Sequence, residues 1–200
     1  MMISAVVFDF DGTLTRPEGI DFSTIRREIR CPDGVPILEF VDQLDEIESR
    51  QHALTTLDRY ELEAAITAEP NFMAEATVRQ LMNMNIPIAL LTRNSRDAII
   101  RALLNFTRTT YEDFAVVITR DDKLPVKPSP EGIIEAARIM DIPLAEVLSV
   151  GDFVFDVEVA VNAGCQSAFL TNGKKSPHLK PDFQIETLDE VISLIRGASL

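Results

Sequence analysis

Short apolar runs alternate with longer amphipathic segments along most of this chain. The short runs are rich in Val, Ile, Leu and Phe, which is typical of buried strands. They lie at residues 3–8, 86–91, 115–118, 147–150, 167–170 and 183–185. The segments between them repeat apolar residues at helical spacing, at 73–84, 96–105, 131–140, 155–163 and 188–195. This alternation predicts an α/β fold in which helices wrap a parallel sheet.

One stretch breaks the alternation, because residues 16–71 contain no convincing strand. Pro36 suits a first helical turn. Apolar residues then recur at helical spacing in two stripes. The first stripe is Ile37, Leu38, Val41, Leu44 and Ile47, and the second begins with Leu57, Tyr60 and Ala64. We therefore predict a helical insertion after the first strand, closed at Pro70-Asn71.

Length and charge limit the possible functions. A chain of 200 residues that is 46% hydrophobic can form one buried core with a small insertion. No apolar run approaches the ~20 residues needed to span a bilayer, and the N-terminus lacks a secretion-type basic and apolar segment, so we expect a cytoplasmic protein. A net charge of −13 argues against binding to nucleic acid or to an anionic membrane. A small anionic substrate remains possible, because a bound cation and a few convergent donors can reverse the local field inside a cleft. We expect a monomer or weak homodimer.

Reactive side chains collect where the predicted strands end. In an open parallel sheet the ligand crevice lies beyond the carboxyl ends of the strands. Four of these ends carry chemistry, namely Asp9 and Asp11 after the first strand, Thr92 after the second, Lys127 after the third, and Asp152 with Asp156 after the fourth. Their convergence predicts an active site at that edge.

The acidic residues at this edge imply a cation. Carboxylates of Asp9, Asp11 and Asp152 would repel one another and raise one another's pKa values unless positive charge lay between them. Mg²⁺ suits such a site, since it takes a few carboxylate and carbonyl oxygens and shares substrate phosphates. Because no His or Cys follows these strands, zinc is disfavoured.

The spacing of Asp9 and Asp11 gives the two carboxylates different tasks if the chain leaves its extended conformation at Gly12. Asp9 can face a phosphorus atom in line, while Asp11 can protonate the leaving oxygen and later deprotonate water. Thr92 can donate a hydrogen bond to the transferring group, and Lys127 can supply a positive charge. We expect Asp152 to bind the metal and Asp156 to orient Lys127 or its loop.

These residues form four motifs that resemble the haloacid dehalogenase superfamily of hydrolases. The motifs are Asp9-Phe10-Asp11-Gly12-Thr13-Leu14-Thr15, Leu91-Thr92-Arg93-Asn94, Lys127-Pro128 and Gly151-Asp152-Phe153-Val154-Phe155-Asp156. The resemblance spans nearly the whole chain and is strongest to phosphoglycolate-phosphatase-like enzymes with a helical cap. It implies a magnesium-dependent phosphatase that acts on small phosphate monoesters through an aspartyl-phosphate intermediate.

The resemblance also implies the domain organisation. A Rossmann-like three-layer α/β/α core would comprise residues 1–15 and 72–200, with residues 16–71 as a small helical cap. The main-chain carbonyl of Asp11 would join Asp9 and Asp152 as a metal ligand. Arg93 stands where many relatives have Asn, and we expect it to bind substrate with Thr92 and Lys127.

Three other functions use similar residues. A dehalogenase also has an aspartate nucleophile, but chloride leaves without a proton, so Asp11 and the acidic fourth motif favour phosphate. A phosphomutase would use the same residues and return the phosphoryl group to a sugar. A signalling receiver domain combines acidic residues with a Thr and a Lys, but receivers are smaller and lack an insertion after the first strand.

Overall fold

The computed structural model describes residues 2–17, 19–175 and 178–197, and its centre is a parallel sheet. The strands are β1 (Ala5–Phe8), β2 (Ile88–Leu91), β3 (Val116–Ile118), β4 (Val147–Gly151), β5 (Gln166–Leu170) and β6 (Phe183–Ile185). Their spatial order is β3-β2-β1-β4-β5-β6, and every neighbouring pair is parallel. The predicted α/β class is therefore confirmed, and β1 lies at the centre of the sheet.

Helices cover both faces of this sheet. They are α1 (Phe22–Ile29), α2 (Ile37–Asp42), α3 (Ile47–Thr67), α4 (Ala74–Asn83), α5 (Arg96–Leu103), α6 (Glu131–Met140), α7 (Val154–Ala163) and α8 (Glu190–Ile195). Alternate residues of β1 belong to different apolar clusters, Val6 and Phe8 to one and Ala5 and Val7 to the other. Because side chains of a strand alternate between faces, these clusters are the two layers of the expected three-layer core.

The insertion after β1 is helical, as predicted, but its helices differ from the predicted stripes. The first stripe joined Leu44 and Ile47 to α2, whereas α2 ends at Asp42 and Ile47 is 82% exposed. The cause is Arg50, whose guanidinium donates to the carbonyls of Asp42 at 2.7 Å and Leu44 at 3.2 Å. These bonds satisfy carbonyls left free at the end of α2, so the chain turns before α3 begins.

Helix α1 was not anticipated from the apolar pattern. Its start is fixed by Asp21, whose carboxylate accepts a hydrogen bond from the Thr24 N–H at 3.0 Å. Ile25 and Ile29 of α1 then pack with residues of α2 and α3 in an apolar cluster separate from the two core layers. The three helices of the insertion thus share a small core of their own.

The insertion is joined to the sheet by two adjacent chain crossings. Thr15 and Pro70 form an antiparallel bridge, and the Asn71 N–H donates to the Leu14 carbonyl at 2.8 Å. Helix α3 also packs on α5, where the Asn105 side chain donates to the carbonyls of Ala65 at 2.9 Å and Ala68 at 3.1 Å. Over the described ranges, no helix combines the length and apolarity needed to cross a bilayer.

Candidate active site

The carboxyl ends of β1, β2 and β4 place the first predicted site residues side by side. Asp9 follows β1 and donates its N–H to the Val150 carbonyl of β4 at 2.9 Å. Thr92 follows β2 and donates its N–H to the Ile118 carbonyl of β3 at 3.0 Å. Asp152 follows β4 directly. Because β1 lies between β2 and β4, Asp9 occupies the middle of this edge.

A tight turn at Phe10–Leu14 follows Asp9, and its glycine permits a close approach. Gly12 has φ of 75°, in the left-handed region that side chains disfavour. A Cβ atom at Gly12 would lie 2.5 Å from Oδ2 of Asp152. Glycine at this position therefore lets the Asp152 carboxylate lie against the turn that carries Asp11.

Lys127 lies between two carboxylates in the interior of the site. Its Nζ atom donates to Oδ1 of Asp9 at 2.5 Å and to Oδ1 of Asp156 at 2.7 Å. Burial alone would lower the pKa of Lys127, but the carboxylates of Asp156 and Asp9 outweigh it and raise that pKa. The ammonium group thus remains charged and holds the Asp9 side chain in place.

Three carboxylates of this edge could share a cation. Oxygens of Asp9, Asp152 and Asp156 lie within 4.8 Å of one another. Burial raises the pKa of Asp9 well above its ordinary value, although the Lys127 ammonium acts in the opposite direction, and burial also raises the pKa of Asp152. A divalent cation would favour the ionised carboxylates, and oxygen donors alone suit a hard ion such as Mg²⁺. The donor set therefore fits the expected metal.

The Asp152 carboxylate already has a positively charged neighbour. Nζ of Lys174 donates to Oδ2 of Asp152 at 2.6 Å, and the Asn172 side chain approaches the same oxygen at 3.3 Å. Lys174 is about half exposed. This ammonium group therefore binds an Asp152 oxygen that the metal would also use. It approaches that oxygen from the solvent side.

Asp11 is outside the carboxylate cluster and faces a different partner. Its Oδ2 atom accepts a hydrogen bond from the Asn94 side-chain amide at 2.5 Å. Burial, followed by the nearby Glu61 carboxylate, raises the pKa of Asp11 to about 7. A cavity of about 190 Å³ between the insertion and the core is lined by Asp11, Asn94 and Glu61, among others. A carboxyl group with this pKa can be protonated at neutral pH.

The Arg93 side chain binds the insertion and not the carboxylate cluster. Its guanidinium donates to both Glu39 oxygens, at 2.8 and 2.5 Å, and to the Lys127 carbonyl. It also lies over the Phe155 ring, 4.8 Å from the centroid. The side chain that we expected to bind substrate thus bridges helix α2 and the loop that carries Lys127.

Several residues that contact the site were not singled out from the sequence. The Asn71 side chain donates to the carbonyls of Gly12 at 3.2 Å and Thr13 at 3.0 Å, and the Asn172 side chain donates to Gly12 at 2.6 Å. Asn172 and Lys174 follow β5, so their position after a strand end is the same signal that predicts Asp9. Asn71 was predicted only as the end of the insertion, and Asn94 only as part of the second motif.

The fold and the site define a class of Rossmann-like α/β enzymes with acidic residues at the carboxyl ends of the strands. Residues 3–164 match the model of the haloacid dehalogenase-like hydrolase family. The chain belongs to that family, as the motifs suggested. It is therefore a hydrolase, and the receiver-domain alternative is excluded.

Individual relatives agree with this assignment over nearly the full chain. An uncharacterised hydrolase of Saccharomyces cerevisiae is 29% identical over 98% of this chain and 92% of its own length. The pyrophosphatase PpaX of Bacillus cereus is 25% identical over 98% of this chain and 97% of its own length.

Solved structures share the fold at lower identity. A HAD phosphatase from Thermococcus onnurineus superposes with a TM-score of 0.71 at 18% identity, covering 99% of this chain and 100% of that one. A predicted phosphoglycolate phosphatase from Haemophilus somnus gives a TM-score of 0.74 at 16% identity, covering 97% and 98% of the two chains. These similarities show that this chain has the same fold as both proteins.

Proposed function

We propose that this protein is a magnesium-dependent phosphatase that hydrolyses small phosphate monoesters through an aspartyl-phosphate at Asp9. The observation that carries the proposal is the position of Asp9. Its carboxylate is bound to the Lys127 ammonium at 2.5 Å and lies within 4.8 Å of the Asp152 and Asp156 oxygens. A carboxylate nucleophile needs this combination of orientation and nearby positive charge to approach an anionic phosphate.

In the first half of the proposed reaction, an Asp9 oxygen attacks phosphorus and the bond from phosphorus to the ester oxygen breaks. Asp11 donates its proton to the departing oxygen, which leaves as an alcohol. Lys127 keeps the other Asp9 oxygen in position, and the Thr92 hydroxyl donates to the transferring group. Mg²⁺, held by Asp9, Asp152 and the Asp11 main chain, would neutralise charge on the phosphoryl oxygens.

In the second half, the acyl phosphate on Asp9 is hydrolysed. Asp11, now ionised, takes a proton from a water molecule that attacks phosphorus, and inorganic phosphate leaves as the Asp9 carboxylate is regenerated. The pKa of Asp11 near 7 supports both tasks, because a group with that pKa exchanges a proton readily at neutral pH. Asp156 orients Lys127 throughout, through the 2.7 Å bond between them.

Residues 16–71 would act as a cap over this site in the proposed enzyme. Their contacts at α2 and α3 reach Arg93 and the cavity beside Asp11. Arg93 could bind a substrate anion only after its guanidinium separates from Glu39, so substrate binding and cap position would be linked. A net charge of −13 supports a small phosphorylated metabolite over a polyanionic partner. The PpaX and phosphoglycolate phosphatase names of relatives agree with phosphate bonds as the target.

A phosphate-release screen over phosphorylated metabolites tests the proposal. We expect wild-type protein to release phosphate with Mg²⁺ and to lose activity with EDTA, and Asp9→Asn to be inactive while remaining folded. Asp141→Asn, an exposed carboxylate at the end of α6, is the matched control and should behave as wild type. Equal phosphate release by Asp9→Asn and wild type would refute the mechanism. Isomerised product without free phosphate would instead identify a phosphomutase.

A further inference from the structure

Asn94 contacts two of the proposed catalytic groups from an almost fully buried position. Its residue is 8% exposed, and its side-chain amide donates to Oδ2 of Asp11 at 2.5 Å. Its main-chain N–H donates to the Thr92 hydroxyl at 3.2 Å. Asn94 thus fixes the direction of the Asp11 carboxyl group and contacts the hydroxyl expected to bind phosphate.

The loop that carries Asn94 is held by a buried ion pair. Arg120 donates its main-chain N–H to the Asn94 carbonyl at 3.1 Å and its guanidinium to the Arg93 carbonyl at 3.1 Å. The same guanidinium binds Glu61 at 2.5 and 2.7 Å. Glu61 in turn accepts the Ser95 N–H at 3.0 Å. The residues on both sides of Asn94 are therefore bonded to Glu61 and Arg120, and the Arg120 guanidinium also binds the Asp58 carboxylate.

This pair connects the helical insertion to the catalytic edge. Glu61 belongs to α3, whereas Arg120 follows β3, and their side chains are only 2% and 7% exposed. Burying two charges costs desolvation free energy, so a buried pair is weak evidence for a gain in stability. Asn94, Glu61 and Asp11 also line the same cavity between the insertion and the core.

We propose that Asn94 is a positioning residue for Asp11, and that the Glu61–Arg120 pair holds Asn94 in place from the insertion. The inference rests on the proposed role of Asp11 as the proton donor to the leaving group. It extends that role by making the proton donor depend on a residue of α3, so that the position of the insertion decides whether Asp11 is aligned. Displacement of Glu61 releases the loop from Arg93 to Ser95 and leaves the Asp11 carboxyl group free to rotate.

The test compares two esters that differ in their need for a proton. Glycerol phosphate has a poor leaving group, whereas p-nitrophenolate departs without protonation. Asn94→Ala should lower kcat/KM for glycerol phosphate by on the order of 10²-fold, with a much smaller loss for p-nitrophenyl phosphate. Arg120→Lys keeps the positive charge beside Glu61 but removes the guanidinium bond to the Arg93 carbonyl, so it should shift the same ratio in the same direction. It carries the test if Asn94→Ala does not fold. Asn105→Ala, which removes another amide that ties α5 to α3, is the matched control and should leave the ratio unchanged.

A double-mutant comparison separates positioning from general damage. In an Asp11→Asn background, Asn94→Ala should cause little further loss on glycerol phosphate, because the group that Asn94 positions no longer donates a proton. Equal losses on both esters, or independent losses in the double mutant, would overturn the inference while leaving the phosphatase proposal intact. A wild-type protein that hydrolyses neither ester nor any other phosphate monoester would overturn both.

Discussion

Replacing Lys127 with Met should leave two carboxylates in the site without their shared ammonium group. The Lys127 side chain is 5% exposed, and those of Asp9 and Asp156 are 12% and 5% exposed, so solvent cannot replace the lost charge easily. Met retains most of the aliphatic stem, and the change therefore tests charge more than packing. Removing one partner of a buried ion pair costs about 3–5 kcal/mol, and we expect the metal-free variant to lose stability in that range near neutral pH.

The pH dependence of this loss has a defined sign. Burial already raises the pKa of Asp9, and removal of the Lys127 ammonium, which lowers it, raises it further. Because the pKa of Asp9 is raised in the native state, the native protein keeps a proton that the unfolded chain has released. The free energy of unfolding therefore increases as pH falls toward about 4, the pKa of an aspartate in the unfolded chain. The difference between variant and wild type should therefore be smaller at about pH 5 than at about pH 8.

Urea unfolding followed by circular dichroism in EDTA measures both the loss of stability and its change with pH. Arg138→Met is the control, because it breaks an ion pair with Glu135 in which the arginine is 69% exposed, and exposed pairs contribute little. A loss for Lys127→Met of less than about 1 kcal/mol at about pH 8 would refute the reasoning, since that is the range of a surface pair. So would a loss that does not change between the two pH values.

Three further predictions concern the proton donor, the metal and the substrate. Hydrolysis of alkyl phosphates should slow as pH rises through about 7, where Asp11 loses its proton, and a rate that stays level to higher pH would contradict the assignment. Lys174→Met should bind Mg²⁺ up to about 5-fold more tightly by calorimetry, because its ammonium competes for Oδ2 of Asp152, and weaker binding would show that Lys174 supports the metal site. Glu39→Gln should lower KM by freeing Arg93 for substrate, whereas an unchanged KM would argue against Arg93 as a substrate ligand.

The fold could be predicted because local pattern and global topology agree. Apolar runs of strand length separated by helical segments leave few arrangements other than a parallel α/β sheet, and that arrangement alone places Asp9, Thr92 and Asp152 at one edge. The insertion was harder to predict. The end of α2 depends on Arg50, whose guanidinium donates to carbonyls of the preceding turn. The spacing of apolar residues does not predict such a polar contact.

The remaining site residues depend on side-chain directions between distant segments. Glu61 and Arg120 are far apart in sequence and would each be interpreted as a solvated charge, yet they form a buried pair beside the turn after β2. Arg93 follows a strand, as a substrate ligand should, but a carboxylate on α2 binds its guanidinium. A partner contributed by another element decides the environment of each of these charges, and the sequence pattern does not identify that partner.

The central claim is that Asp9 becomes covalently phosphorylated, and the direct measurement is trapping of that species. Wild-type protein would be quenched with acid during turnover of a substrate whose phosphoryl group is radiolabelled, with Mg²⁺ present. We predict a protein-bound label that hydroxylamine removes, as expected for an acyl phosphate, and that is missing from Asp9→Asn but present in Asp141→Asn. Turnover by wild type without any bound label, or an equal label on Asp9→Asn, would contradict the account.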